Sequence, residues 1–293
     1  MINRSLLFLI TAMISAACES TEKALKKNIE KQMTQVSGTF AVAFKDLATK
    51  DEILIGEHEV FHAASTMKTP VMIEVYNQAN EGKISLHDSL TIKNDFTSIA
   101  DGSHYSLSPK DDSEHELYLQ IGKRKIVYSL MYDMIITSSN LATNLIIELV
   151  DAKQVMKTMR GLGAVDIQVL RGVEDNAAFR QGLNNTTTAY DLMLIYSALA
   201  SGKIVNREAS DAMINVLLDQ KFNDIIPALL PADVKVAHKT GSIKGIHHDT
   251  GIVILPDGRR YVLILLSKDF TDEQAAIRVM AKISEMIYNH VTR

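Results

Sequence analysis

The sequence predicts a three-layer α/β/α sandwich, an antiparallel sheet covered by helices on both faces, with an all-helical lobe inserted into it. Three observations carry this expectation. Strand-like stretches stand near both ends of the chain, so they can meet in one sheet. The middle is filled by helical periodicity. An amphipathic helix precedes the first strands and another follows the last, each placed to cover a sheet face.

The elements follow in order. Ala24, Leu25, Ile29 and Met33 recur at helical spacing from Glu22 onward. Residues 39–47 and 52–61 read as strands around a turn at Ala48–Asp51, with Phe40, Val42 and Phe44 alternating with Ala41 and Ala43. A helix is expected over 66–80, ended near Gly82, with Pro70 in its first turns where a missing N–H costs little. Residues 94–125 are polar, with Asp101-Gly102, Pro109 and several acids, and read as a long surface loop or insertion. Helices are expected over 126–137, 140–151, 152–160, 188–201 and 206–219. Strands follow at 233–239, 248–255 and 260–267, with Pro256-Asp257-Gly258 as a turn, and a last helix covers 271–290. Residues 19–66 with 218–293 are assigned to the α/β lobe and 67–217 to the helical lobe. Together they make one domain with a ligand cleft between the lobes.

Composition narrows the function. The 293 residues are 46% hydrophobic and 23% charged, ordinary values for a globular chain. The net charge of −4 gives no electrostatic footprint for nucleic acid, although a local lysine or arginine still suits an anionic small molecule. Residues 1–18 read as an export signal: Arg4, an apolar run from Leu6 through Ile14, then the small residues Ser15, Ala16 and Ala17 before Cys18. The run is too short to span a bilayer comfortably. Cys18 is the only cysteine, so no intramolecular disulfide forms. Its place after the small residues resembles a lipoprotein box, with Ser15 where leucine is usual, and Cys18 is expected to become a lipidated mature N-terminus. A plain cleaved signal is the alternative. The mature chain is expected outside the cytoplasm, in the periplasm or on the outer membrane face, as a monomer touching the membrane only through that lipid.

Three segments carry chemistry. In Ser65-Thr66-Met67-Lys68, a serine and a lysine one helical turn apart share a face. Lys68 can orient the Ser65 hydroxyl and, when neutral, take its proton. Ser65 as a mere helix cap is the bland alternative, and Ser20-Thr21-Glu22-Lys23 is a chance match to the same pattern. In Ser138-Ser139-Asn140, between two apolar helical stretches, Ser138 can relay a proton and Asn140 can hydrogen-bond a substrate amide; a cap again competes. In Lys239-Thr240-Gly241, followed by Ser242, a cation and a hydroxyl lie on a strand-like run, and the glycine lets a substrate backbone lie close. A surface turn is the competing reading.

The three segments occur in the order, spacing and setting of a known catalytic set. Through them the chain resembles the class A β-lactamases over nearly all of residues 22–291. The flanks Leu141-Ala142-Thr143-Asn144-Leu145 and Asn185-Thr186-Thr187-Thr188 support the resemblance. It implies a hydrolase of β-lactam amides working through an acyl-enzyme on Ser65. Lys68 would be the acylation base, or Glu174 would be through a water. Ser138 would protonate the leaving nitrogen and Glu174 would activate the deacylating water. Asn140, Lys239, Thr240, Gly241 and Ser242 would bind substrate, with the backbone N–H groups of Ser65 and Ser242 as oxyanion donors. No metal or other cofactor is implied.

Two departures stand out. Ser139 occupies a position where the family usually has aspartate, which predicts a modest loss of local rigidity. The run Glu174-Asp175-Asn176-Ala177-Ala178 puts alanine where an asparagine usually holds the water, leaving Asn176 as a substitute and Asp175 as a rival base. Tyr105 is a candidate wall of the cleft. His238 is a candidate neighbour of Lys239, with packing the more ordinary role. His58 and His62 would share one face of a strand, without a third ligand for a metal. Rival functions are a penicillin-binding D-Ala-D-Ala peptidase, a non-hydrolytic β-lactam sensor and a general esterase on the same scaffold.

Overall fold

The computed structural model describes residues 22–293. The expected export signal over 1–18, with Cys18, lies outside the described residues.

Helix α1 covers 22–33 and buries Leu25 and Ile29. It leads to β1 (Thr39–Asp46) and β2 (Glu52–Ile55), a hairpin whose turn is closed by Asp46 accepting the amides of Ala48 and Thr49. The expected strand 52–61 is broken: the chain turns at Gly56 and only β3 (Phe61–His62) resumes extended pairing. His58 lies in that break, so it shares no strand face with His62. A 3-10 turn (Ala64–Met67) then opens α2 (Lys68–Asn80), which starts two residues later than expected.

The segment expected to be a surface loop is more ordered than its polarity suggests. It holds β5 (Phe96–Thr97) and β6 (His104–Tyr105), preceded by β4 (Ser89–Thr91) and closed by β7 (Arg124–Ile126). Its Leu107, Asp112, Leu117 and Tyr118 are buried. The helical lobe continues with α3 (Val127–Ile136), α4 (Asn140–Val150), α5 (Ala152–Gly161) and the short α6 (Asn176–Arg180). After β8 (Thr186–Thr187), which pairs with β3, come α7 (Ala189–Ala200) and α8 (Arg207–Leu218). Strands β9 (Lys235–Ile243), β10 (Ile246–Ile254) and β11 (Arg260–Lys268) precede α9 (Glu273–Val291).

The main sheet has five antiparallel strands in the order β2-β1-β11-β10-β9. The two ends of the chain therefore share one sheet. Alternation then builds two cores. Ala41, Ala43, Ile252, Val262, Ile264 and Leu266 face the helical lobe. Phe40, Val42, Phe44, Val253, Leu263 and Leu265 face α1 and α9. On α9, Ile277, Met280, Ile283 and Ile287 are buried against that second face, each contributing about 2 kcal/mol relative to exposure. A one-residue register slip would exchange the two faces, so the pairing is firmly specified.

β9 is an edge strand and runs on through Ile243, past the expected end at 239. Its pairing with β10 continues to Ile243 opposite Ile246, closed by a turn in which Gly245 takes φ +77°. Lys239, Thr240, Gly241 and Ser242 thus stand within a straight strand. Gly251 on β10 lies under this strand, and a Cβ there would stand 2.6 Å from the Ala237 carbonyl oxygen. Gly251→Ala should lower the unfolding free energy by about 1–3 kcal/mol through overpacking, read as a lower urea midpoint. An unchanged midpoint would contradict this account of the edge.

Candidate active site

Ser65 sits in the 3-10 turn, half-buried, and lines the cleft between the lobes. Ala64 before it takes φ +45°. The turn packs on β9 at Gly241, where a Cβ would stand 3.0 Å from the Ser65 amide nitrogen and 3.1 Å from that of Thr66. The absent side chain therefore makes room for the backbone of Ser65, where the sequence suggested room for substrate.

Lys68, the first residue of α2, is fully buried. Its ammonium donates to the Ser138 carbonyl (2.7 Å), to Asn140 Oδ1 (3.0 Å) and to Ser138 Oγ (3.2 Å). Two acceptors are on Ser138, between α3 and α4, and the third is on Asn140, the first residue of α4; none is Ser65. Burial pushes the amine down to about 7, opposed by the negative charges of Asp112 and Glu174. Lys239 is equally buried and donates to Ser138 Oγ (3.0 Å) and the Thr240 carbonyl (2.8 Å). Burial, and next the charge of Lys68, hold Lys239 well below the usual lysine range. Two amines thus converge on one hydroxyl. Ser138 itself takes φ +59°.

Glu174 faces the same cleft from the segment before α6, with φ +63°. Its Oε1 accepts from Asn140 Nδ2 at 2.8 Å, and its carboxylate also accepts the Ser108 amide. Burial raises it above the usual carboxylate range, with Asp111 and Asp112 adding to the effect. One carboxamide, Asn140, therefore joins the amine of Lys68 to the carboxylate of Glu174. Its Nδ2 also reaches the Asp111 carbonyl at 3.4 Å, so its partners are protein groups, whereas the sequence suggested a substrate amide.

The segment carrying Glu174 has little regular structure, and side chains staple it. Asn144 accepts from the Val173 amide (2.7 Å) and donates to the Val173 carbonyl (3.1 Å). Gly172 makes this possible, because a Cβ there would lie 2.3 Å from Asn144 Oδ1. Asn185 accepts from the amides of Leu170 and Arg171, and Thr188 caps α7. Asp175, the rival base, is buried and fully used: it accepts from Ser98 Oγ, the Ile99 amide and the Ala178 amide. Ala178 is buried, and exposed Asn176 lines the cleft beside Glu174.

Sequence reasoning missed Asp112. Its Oδ2 accepts the amides of Asn140 (2.9 Å) and Leu141 (2.8 Å) and the Tyr118 hydroxyl (2.8 Å). A carboxylate therefore stands under the second motif after all, brought from the 94–125 segment. The loss of rigidity expected from Ser139 does not follow, since Ser139 caps α4 at the Ala142 amide and also leans on Asp112 at 3.5 Å. The acidic pair Asp111-Asp112 was the only signal, and nothing in it names a partner.

Of the remaining candidates, Tyr105, His238 and His58 fall outside the cleft, while His62 lines it beside Ser65. Tyr105 accepts from Asn144 and lines a separate hollow with Phe96, because β5–β6 folds behind the stapled segment. His238 bonds Asp249 and Asn223, away from Lys239. His62 accepts the Ala64 amide, and exposed His58 tilts over Tyr190. Among the described residues no group of three His, Cys, Asp or Glu is arranged to hold a metal, and no described helix is long and apolar enough to cross a membrane.

The cleft has two lobes of roughly 320 and 270 Å³, joined at Ser65, Asn140 and Ser242. That volume suits a small molecule. A model of the beta-lactamase enzyme family matches residues 23–291. The chain belongs to that family. A β-lactamase of Bacteroides uniformis is 27% identical over 252 residues, 82% of each chain. Among solved structures, a β-lactamase of Chitinophaga pinensis superposes with a TM-score of 0.80 at 21% identity, over 92% of this chain and 99% of that one. A protein titled PBP-A superposes at 0.77 and 23% identity, over 92% and 96%. These family folds share the three-layer architecture with the inserted helical lobe.

The staple gives a direct test. Asn144→Ala removes both bonds to Val173 and should cost about 1–3 kcal/mol. Amide exchange should quicken most over 172–176. Exchange spread evenly over the chain would show that Asn144 does not hold this segment.

Proposed function

We propose that the protein is a serine β-lactamase that opens the lactam amide through an acyl-enzyme on Ser65. The observation that carries this reading is the joining of Lys68 to Glu174 through Asn140, in the cleft that Ser65 lines.

The Ser65 oxygen attacks the lactam carbonyl carbon, and the hydroxyl proton leaves to a base. Lys68, pushed down to about 7, is partly neutral at neutral pH and can serve directly. A water activated by Glu174 is the other route. The backbone N–H groups of Ser65 and Ser242 receive the developing oxyanion, each such donor being worth about 3 kcal/mol. The carbon–nitrogen bond breaks, and Ser138 gives its proton to the nitrogen. The two amines flanking that hydroxyl can replace it. In the second half, Glu174 takes a proton from the water that attacks the ester, with Asn176 as the second holder of that water. Thr240 and Ser242 contact the substrate carboxylate. Lys239 acts on it through its field, being sealed behind Ser138 and Thr240. No cofactor takes part.

A chromogenic cephalosporin tests the reading. Many turnovers without a lasting adduct are expected for the native chain, and none for Ser65→Ala. Glu174→Gln should trap a mass adduct on Ser65. If Lys68 is the acylation base, the trapping rate in that variant rises with pH, with a midpoint displaced below the native amine's value of about 7 because the variant lacks the Glu174 charge that holds the amine up. A single stoichiometric adduct in the native chain would favour a penicillin-binding peptidase or a sensor.

We further propose that the chain is exported and lipidated at Cys18, on the apolar run and small residues that precede it. Globomycin should block its maturation. A mature protein that retains a free, unprocessed Cys18 would refute this.

A further inference from the structure

We propose that Asp112 is a positioning residue for the reaction, the carboxylate that sets the Ser138–Asn140 segment from a distant part of the chain. This rests on the function proposed above.

The geometry is unusually one-sided. One oxygen, Asp112 Oδ2, accepts the amides of Asn140 and Leu141 and the hydroxyl of Tyr118, with Ser139 Oγ at 3.5 Å. The other oxygen accepts the Glu114 amide at 3.0 Å. Asp112 is 4% exposed, so these donors do not exchange with water. The two amides open α4, where a negative charge is favoured. They belong to the residues two and three positions after Ser138, and Ser138 takes φ +59°. A non-glycine residue keeps such a conformation only when its surroundings impose it. Asp112 supplies that constraint from one side, and Lys68, bonded to the Ser138 carbonyl, from the other.

The same charge acts on the proton-carrying groups. Lys68 is lowered by burial, and Asp112 is the foremost charge opposing this, ahead of Glu174. Glu174 is raised by burial, with Asp111 and Asp112 adding to it. Tyr118 and Glu114 are raised in part by the same charge, and Lys239 meets Lys68 at Ser138 Oγ. Removing the Asp112 charge therefore moves Lys68 and Glu174 in the same direction, toward lower pH.

Ser139 makes a sharp experiment possible, because its side chain already points at Asp112. The rate of Ser65 acylation by a fluorescent penicillin is followed against pH for the native chain, Asp112→Asn, Ser139→Asp and the double variant. Asp112→Asn should lose between about 10- and 100-fold in rate, with the acid limb displaced to lower pH. Ser139→Asp alone should be harmful, since two carboxylates then crowd one site. Combined with Asp112→Asn it should restore rate and limb together. This reversal of sign is the signature of one carboxylate replacing another. If Asp112→Asn does not fold, the double variant decides: folded and reactive supports the proposal, unfolded or inert overturns it. A folded Asp112→Asn with native rate and an unmoved limb also overturns it, leaving the reaction assignment intact. A native chain that forms no adduct overturns that assignment and this proposal together.

Discussion

The burial of the Lys68 amine is the constraint on which the site depends. Taking an ammonium out of water is expensive unless every N–H finds an acceptor. Here two acceptors are side chains and one is the Ser138 carbonyl, all from Ser138 and Asn140. To present a carbonyl and a hydroxyl to one amine, the backbone at Ser138 leaves the regions comfortable for a side chain. Ala64 and Glu174 do the same beside Ser65 and beside the stapled segment. Such residues cost about 1–3 kcal/mol each, and three of them around one cleft mark where the fold gives up stability for arrangement.

That cost is met by scaffolding that carries no chemistry itself. Asp175, Asn185 and Asp112 each accept two backbone amides, and Asn144 accepts one, at helix starts and in stretches without a ladder of their own. Asn144 donates back to a carbonyl as well, so it replaces a strand partner for Val173. The sheet contributes differently. β9 is straight, paired along its whole length, and brings Gly241 against the Ser65 amide with no side chain between. The Ser65 backbone is thereby packed against a strand paired along its whole length.

Much of this was legible in the sequence, and the limits follow from range. The sheet strands and the long helices have strong local periods; Lys68 and Lys239 meet at Ser138 Oγ, and Ser65 lines the same cleft as Ser138. The strand at 235–243 looked shorter because Lys239, Thr240 and Ser242 break the apolar pattern that a strand usually shows, although their backbone pairs normally. The 94–125 segment looked like surface because its buried residues are few and scattered among charges. Asp112 is buried only because four donors from elsewhere reach it, a long-range fact with no local trace. Tyr105 and Asp175 were misjudged for the same reason: residue type and neighbourhood were right, while the side of the segment each faces is set by pairing far away.

Lys68 and Lys239 both donate to Ser138 Oγ, at 3.2 and 3.0 Å, and the charge of Lys68 lowers Lys239 further. They are not equivalent. Lys68 has Asp112 and Glu174 as compensating charges, whereas Lys239 has Asp249 on the far side of its strand. The acids therefore favour charge on Lys68 over charge on Lys239, and charge on Lys68 in turn holds Lys239 lower. The carboxylate that looked incidental in a polar loop is the foremost of the charges that set this difference.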